Sequence, residues 1–349
     1  MAYTTINKST DYFDTKLHDG TGVAKTLAYD FEVDMYWTKM RNDVYPHMIF
    51  DAVRGNNNRI RPNQTNGEGV AGNTVSFGNS SGISLGTDSG SYGVNKAQND
   101  SSQTAQYVGW GWKANGAGSS NTDGSITSTV SANTTSGFSI VSYTGTNATG
   151  TVGHGLGVAP KIVLYKNRTD STYWYFTTSL IDGSHDLLLL PATDAQQPFS
   201  ASLPTSSVLN LIANNDTNGS GDGIIAYCFA EKTGYSKFGS YTGNGNADGT
   251  FVYTGFKPAF VIVKCSSTSA DWQLADNKRT TSGGNVIDKD LRPNNSDSET
   301  TNTFVDFYSN GFKLRNNFGN WNGSGQEYVY MCFAEAPLVG SNNIAATAR

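Results

Sequence analysis

The sequence predicts an all-β protein made of tandem antiparallel β-sandwich modules, and three observations predict it. A unit of about 100 residues is written twice. Pro160 with Lys166 and Trp174 returns as Pro258 with Lys264 and Trp272, and the closing run Ile225-Ala-Tyr-Cys228-Phe-Ala-Glu231 returns as Val329-Tyr-Met-Cys332-Phe-Ala-Glu335. Self-similarity at this period marks a duplicated structural unit. Composition points the same way: 39 glycines, 12% aromatic and only 15% charged residues suit many short strands joined by turns. Finally, Phe260 to Lys264, Phe304 to Tyr308 and Tyr328 to Phe333 read as strands, separated by Asn218-Gly219, Asp222-Gly223, Asn310-Gly311 and Asn322-Gly323 turn signals, and no window sustains a helical period.

The first unit, residues 1–113, is a divergent copy. Phe31 to Lys39 takes the place of Phe256 to Lys264 and lacks the proline, His47 falls where Trp272 stands, and Asp51 and Arg54 fall on Asp276 and Arg279. Its Gly/Ser/Asn-rich stretch, 67–99, suggests a docking role. Residues 114–137 are small and polar and read as a linker that lets the first unit move. The second unit spans 138–232 and the third 235–336, joined by the short Lys232 to Tyr235 connection, so these two should form one rigid body. The offset between copies grows from 98 at Pro160/Pro258 to 104 at Cys228/Cys332, which lengthens the middle loop of the third unit. Residues 337–349 read as an extended C-terminal tail.

Little in the chain suggests catalysis. Four histidines occur in no metal-binding or catalytic spacing, and no acid pair sits in contrasting environments. His154 reads as a turn histidine. Three cysteines, two of them at one place in the repeat, read as buried hydrophobes, with no disulfide framework and no metal knuckle. Asp216-Thr-Asn218-Gly-Ser220-Gly221 has the oxygen donors of half a calcium loop, but Tyr227 stands where the closing glutamate belongs, so a hairpin turn is the better reading and no metal or other cofactor is expected. A net charge of −5 without a basic cluster gives no footprint for nucleic acid, and no apolar run is long enough to insert in a membrane or serve as a secretory signal. Trp174 and Trp272, with Tyr173 and Tyr175, are the binding candidates, because flat aromatic faces hold sugar rings; the same register in two copies also fits a core role. The Asp51/Arg54 and Asp276/Arg279 pairs read as surface ion pairs that fasten loops.

Four segments carry a family resemblance over essentially the whole chain: Met1-Ala-Tyr-Thr-Thr-Ile-Asn-Lys-Ser-Thr-Asp-Tyr-Phe13, Gly111-Trp-Lys-Ala-Asn-Gly-Ala-Gly118, Tyr227-Cys-Phe-Ala-Glu-Lys-Thr-Gly234 and Met331-Cys-Phe-Ala-Glu-Ala-Pro-Leu-Val-Gly-Ser-Asn-Asn343. They resemble virion proteins of tailed phages of marine bacteria. That resemblance implies jelly-roll or concanavalin A-like sandwiches and a place on the particle surface; the thin catalytic inventory and the N-terminus without a signal add the expectation of a non-enzymatic structural protein, assembled in the host cytoplasm. It would be a tail-associated fibre or receptor-binding component, or alternatively a capsid decoration protein, with a carbohydrate-binding module or glycan hydrolase as the reading from another class. Partners would be other tail or capsid proteins, further copies of the chain, and a host cell-surface glycan.

Overall fold

Each unit closes on a strand that is apolar along both faces: Gln106–Trp112, Gly223–Phe229 and Glu327–Pro337. In a computed structural model, which describes residues 4–88, 92–281 and 284–337, that strand lies second from one side of an antiparallel array whose order is the same three times. The first array runs Phe13–Asp19, Gln106–Trp112, Met35–Met40, Met48–Asp51; the second Phe138–Thr144, Gly223–Phe229, Ile162–Asn167, Tyr175–Thr178; the third Ser236–Thr242, Glu327–Pro337, Phe256–Cys265, Gln273–Asp276. Strands make up 44% of the chain and helix 3%. The architecture is all-β.

Alternate residues of the closing strands face two different cores, as the strand period of two requires. Val108, Trp110 and Trp112, Ile225, Tyr227 and Phe229, and Val329, Met331 and Phe333 all enter one hydrophobic core common to the three sheets. Residues between them, such as Ala226 and Cys228 or Tyr330 and Cys332, face separate cores beneath outer layers. Those layers are Lys25–Ala28, Val75–Ser76 and Gly82–Leu85 in the first unit, Gly150–Gly153 with Val208–Leu211 in the second, and Phe251–Tyr253, Val286–Asp290, Thr300–Tyr308 and Gly311–Leu314 in the third. Burial on both sides explains why the closing segments read as continuous apolar runs. In the first unit the outward positions are Gly109 and Gly111, where a Cβ would come within 2.4 Å of the Tyr36 ring and 2.9 Å of the Tyr29 ring; only glycine lets those rings lie flat on the strand.

The three sheets are therefore sandwiches fused about one centre. Phe333 is the clearest marker of that centre. Its ring meets Phe13 at 5.0 Å and Trp112 at 5.7 Å from the first unit, Phe229 at 6.1 Å from the second, and Phe238 at 5.9 Å and Phe260 at 6.1 Å from its own.

The expected linker is not a linker. Within residues 114–137, Ser119–Asn121 and Ser128–Asn133 form two strands that extend the second sheet, the latter pairing with Phe138–Thr144. Asp34 of the first unit accepts from the Ala114 and Gly116 amides at 2.6 and 3.1 Å. The stretch is polar because it forms the exposed margin of a sheet, where small hydroxyl residues suit a strand as well as they suit a loop. The Gly/Ser/Asn-rich stretch of the first unit likewise supplies outer-layer strands. Residues 338–349, almost all of the expected tail, lie outside the described residues.

One core implies one unfolding event. Calorimetry should show a single transition with equal calorimetric and van't Hoff enthalpies, and Phe333→Ala should cost about 3–5 kcal/mol; an N-terminal unit that melts on its own would contradict the shared core.

Candidate functional site

Trp174 and Trp272 are 0% and 1% exposed, so neither offers a face to a ligand. Their indole N–H groups donate to the Arg61 and Leu189 carbonyls, at 2.9 and 3.0 Å, each in the preceding unit. The platform reading is thereby corrected: both rings are core groups, fixed there by a bond across a seam between units. His47, at the same register, faces the Arg292 backbone of the third unit. Of the two tyrosines, Tyr175 is half-buried against Phe199 (5.9 Å, edge-on), and Tyr173 is 46% exposed, with its amide donating to Asp216.

These contacts run in one direction, second unit onto first, third onto second, first onto third, and so close a ring. Three backbone bonds at matching positions repeat the pattern: Glu68 N to Arg168 O (2.7 Å), Gln196 N to Ser266 O (2.8 Å) and Glu299 N to Arg41 O (2.8 Å).

The two predicted ion pairs sit on the same seams and are not surface fasteners. Asp51, Arg54, Asp276 and Arg279 have fully buried side chains. Arg54 Nε donates to Asp51 Oδ2, and Arg279 Nε to Asp276 Oδ2 at 2.6 Å. The guanidinium Nη2 groups donate to the Ile49 and Leu274 carbonyls, both at 3.0 Å. A neighbouring unit completes each carboxylate: Tyr227 O–H donates to Asp51 at 2.6 Å, and Trp110 N–H to Asp276 at 3.1 Å. A buried carboxylate survives when its partners are this complete. Spacing alone made the pairs visible but could not show that a strand from another unit would cover them.

The seam between the second and third units does without these charges. By strand register, Thr178 stands where Asp51 and Asp276 stand, Ile181 where the arginines stand, and Met331 where Trp110 and Tyr227 stand. The three replacements leave no buried charge unpartnered at that site.

A third repeated feature lies beside the seams. Lys39, Lys166 and Lys264 share one register and are fully buried. Lys166 Nζ donates to Thr65 O of the first unit and to Thr172 O, both at 2.8 Å. Burial pushes these amines down to about 7 for Lys39 and about 8 for Lys166 and Lys264, against partial opposition from nearby carboxylates such as Asp43, Asp216 and Asp194.

The half calcium loop forms a one-turn helix, Asn215–Asn218, rather than a hairpin, and Gly319–Asn322 matches it in the third unit. Asn218 and Asn322 are buried and staple the loop after the first strand, accepting from the Thr146 and Asn244 amides. Among the described residues no group of three histidine, cysteine or acidic side chains is placed to hold a metal ion. Cys228, Cys265 and Cys332 are free and buried, and His154 is buried, bonded to the Thr205 and Ser207 carbonyls.

An open cleft of about 330 Å³ lies in the third unit, lined by Gln273, Asp290, Arg292, Thr300, Thr301, Asn302, Phe304, Phe318, Asn320 and Trp321; another, of about 340 Å³, lies where Glu231 to Lys237 meet Tyr253 to Gly255. Asp290 accepts from the Thr300 hydroxyl, and burial raises its carboxyl above the usual range. Arg292 lies 3.4 Å from Asp271, and Phe318 is 42% exposed. Sequence reasoning missed this site because its residues come from four separated segments; the lengthened middle of the third unit was the available signal.

Residues 8–337 match a domain of unknown function, DUF7483. The chain belongs to that family. No curated protein and no solved structure matches it. The family match spans all three sheets, in keeping with their common core.

Two outcomes follow from the seams. Asp276→Thr alone takes from buried Arg279 its hydrogen-bonded carboxylate, leaving Glu299 at 3.7 Å, and should cost about 3–5 kcal/mol, whereas Asp276→Thr with Arg279→Ile and Trp110→Met, the solution used at the neutral seam, should recover most of that loss in denaturant melts. The lysines set a pH dependence. Between about pH 7 and 10 the unfolded chain keeps lysine protons that the folded chain has released, so stability rises with pH; above that, buried tyrosines such as Tyr143 and Tyr165, held well above their ordinary value by burial, retain protons that the unfolded chain loses, and stability falls. Thermal melts from pH 7 to 11 should peak on the alkaline side, and Lys166→Met should flatten the rise.

Proposed function

We propose that this chain is a non-enzymatic structural protein displayed on the surface of a tailed-phage virion, acting as a tail-associated receptor-binding component. The observation that carries the non-enzymatic part is the use made of buried ionisable groups: Asp51, Arg54, Asp276 and Arg279 are bonded at the seams, and Lys39, Lys166 and Lys264 are bonded to backbone carbonyls, Lys166 across a seam. A glycan hydrolase needs two carboxylates across a sugar ring, and Asp290 is the one acid among the residues lining the third-unit cleft. A rigid ring of sandwiches with buried thiols suits a particle that must persist outside a cell. The resemblance of the terminal and repeat-closing motifs supports the virion location.

Capsid decoration is the second reading. Burial of Trp174 and Trp272 favours it, since the aromatic pair that first suggested adhesion is structural. Quantitative mass spectrometry of purified particles separates the two. A few to a few tens of copies per particle, with antibody label at the tail, is the expected result; hundreds of copies over the head would establish decoration, and absence from particles would overturn both.

A further inference from the structure

The three units use one position in three different ways. In the second unit, Tyr175, Leu187 and Phe199 fill it with an apolar plug. In the first, Arg59 pairs with Gly69 across the strands and its guanidinium covers the Tyr92 ring at 5.1 Å. In the third, strand register puts Gln273 where Tyr175 stands and Asp290 where Leu187 and Arg59 stand, and the position is the open cleft of about 330 Å³.

Folding does not require that polar lining. The second unit shows that apolar side chains close the same frame, whereas here Asp290 and Gln273, 2% and 1% exposed, are buried together with the polar partners they need, the Thr300 hydroxyl and the Asp271 carbonyl. Indole N–H of Trp321, another lining residue and 1% exposed, has no hydrogen-bond partner. A buried donor left unmet points to a ligand.

From this we propose that the third-unit cleft binds one or two rings of a neutral carbohydrate, a reading that rests on the receptor-binding function above and gives it a site. Every sugar hydroxyl both donates and accepts, and the accessible wall of the cleft offers amides that do both (Asn302, Asn320) and the Thr300 and Thr301 hydroxyls, with buried Asp290 and Gln273 at its floor. Phe318 at the rim supplies a flat apolar face for the ring's C–H groups. Arg292 is shared with Asp271 and Asp297, at 3.4 and 3.8 Å, so the cleft has no unbalanced cation to select an anionic sugar. Its volume falls at the small end of ligand sites, about 300–1,000 Å³, which sets the ligand at one or two rings.

Saturation-transfer NMR on the full chain, with glucose, galactose, mannose, N-acetylglucosamine and their disaccharides as probes, tests this. At least one should bind with a dissociation constant of about 1–10 mM, as expected for so few contact atoms. Phe318→Ala should weaken it at least tenfold, and Gln273→Tyr with Asp290→Leu, which installs residues of the second unit, should abolish it while the protein still melts as one unit. Tyr253→Ala, exposed and outside the cleft, should leave it unchanged. No binding of any neutral sugar at 50 mM, binding of anionic sugars only, or binding indifferent to both cleft variants would overturn the proposal. Adsorption of particles carrying Phe318→Ala separates this site from the wider reading: sugar binding lost with adsorption intact leaves the site standing and refutes its receptor role, whereas a tail-located protein without sugar binding refutes the site alone.

Discussion

Double burial of the three closing strands is the constraint on which the rest depends. A strand covered on one side by its own outer layer and on the other by two neighbouring units has no solvent face, so its sequence must be apolar throughout, and its unit cannot hide that inner face alone. Exposed, the inner faces would be apolar patches of the kind that drive association. The ring arrangement satisfies all three at once. The first two units put small residues where an outer layer presses close, Gly109, Gly111 and Ala226, whereas the third puts Tyr328 and Tyr330 there.

Polar groups at the seams then fix which surfaces meet. An apolar core is tolerant of sliding and repacking, while a buried aspartate that requires one tyrosine or one indole N–H from a neighbour is not. Where the charge is dropped, at Thr178, its arginine and its donor are dropped with it. That coordinated loss shows the pair, its cover and its neighbour to be one unit of interaction rather than three contacts, in line with the cost of leaving a lone charge in the interior.

The fold class, the repeat and the shared register of Trp174 and Trp272 could be read from the chain, because alternation, turn residues and self-similarity are local signals. What faces what could not. Trp272 and Asp276 look like loop residues of a free-standing sandwich until a second unit is laid against them, and the hydroxyl-rich stretch before Phe138 looks like a tether because polarity at a sheet margin and polarity in a loop are written alike. The third-unit cleft is harder still to read. Asp290, Asn302 and Asn320 converge only through pairing of Asp290 with Thr300 and the turn at Gly319–Asn322, and its meaning depends on comparison with the plugged position around Phe199.

Closure of the ring within one chain has its own consequence. A head-to-tail interface returns to its start when the rotation closes and otherwise continues from molecule to molecule as a filament. The second and third units are held together by a short covalent connection, and so at high effective concentration; their seam is the neutral one. The seams that bring in the first unit carry the buried carboxylates. Charge thus lies where a neighbouring molecule's unit would be the competitor, and the price of an error there is an exchange of units that chains one polypeptide to the next.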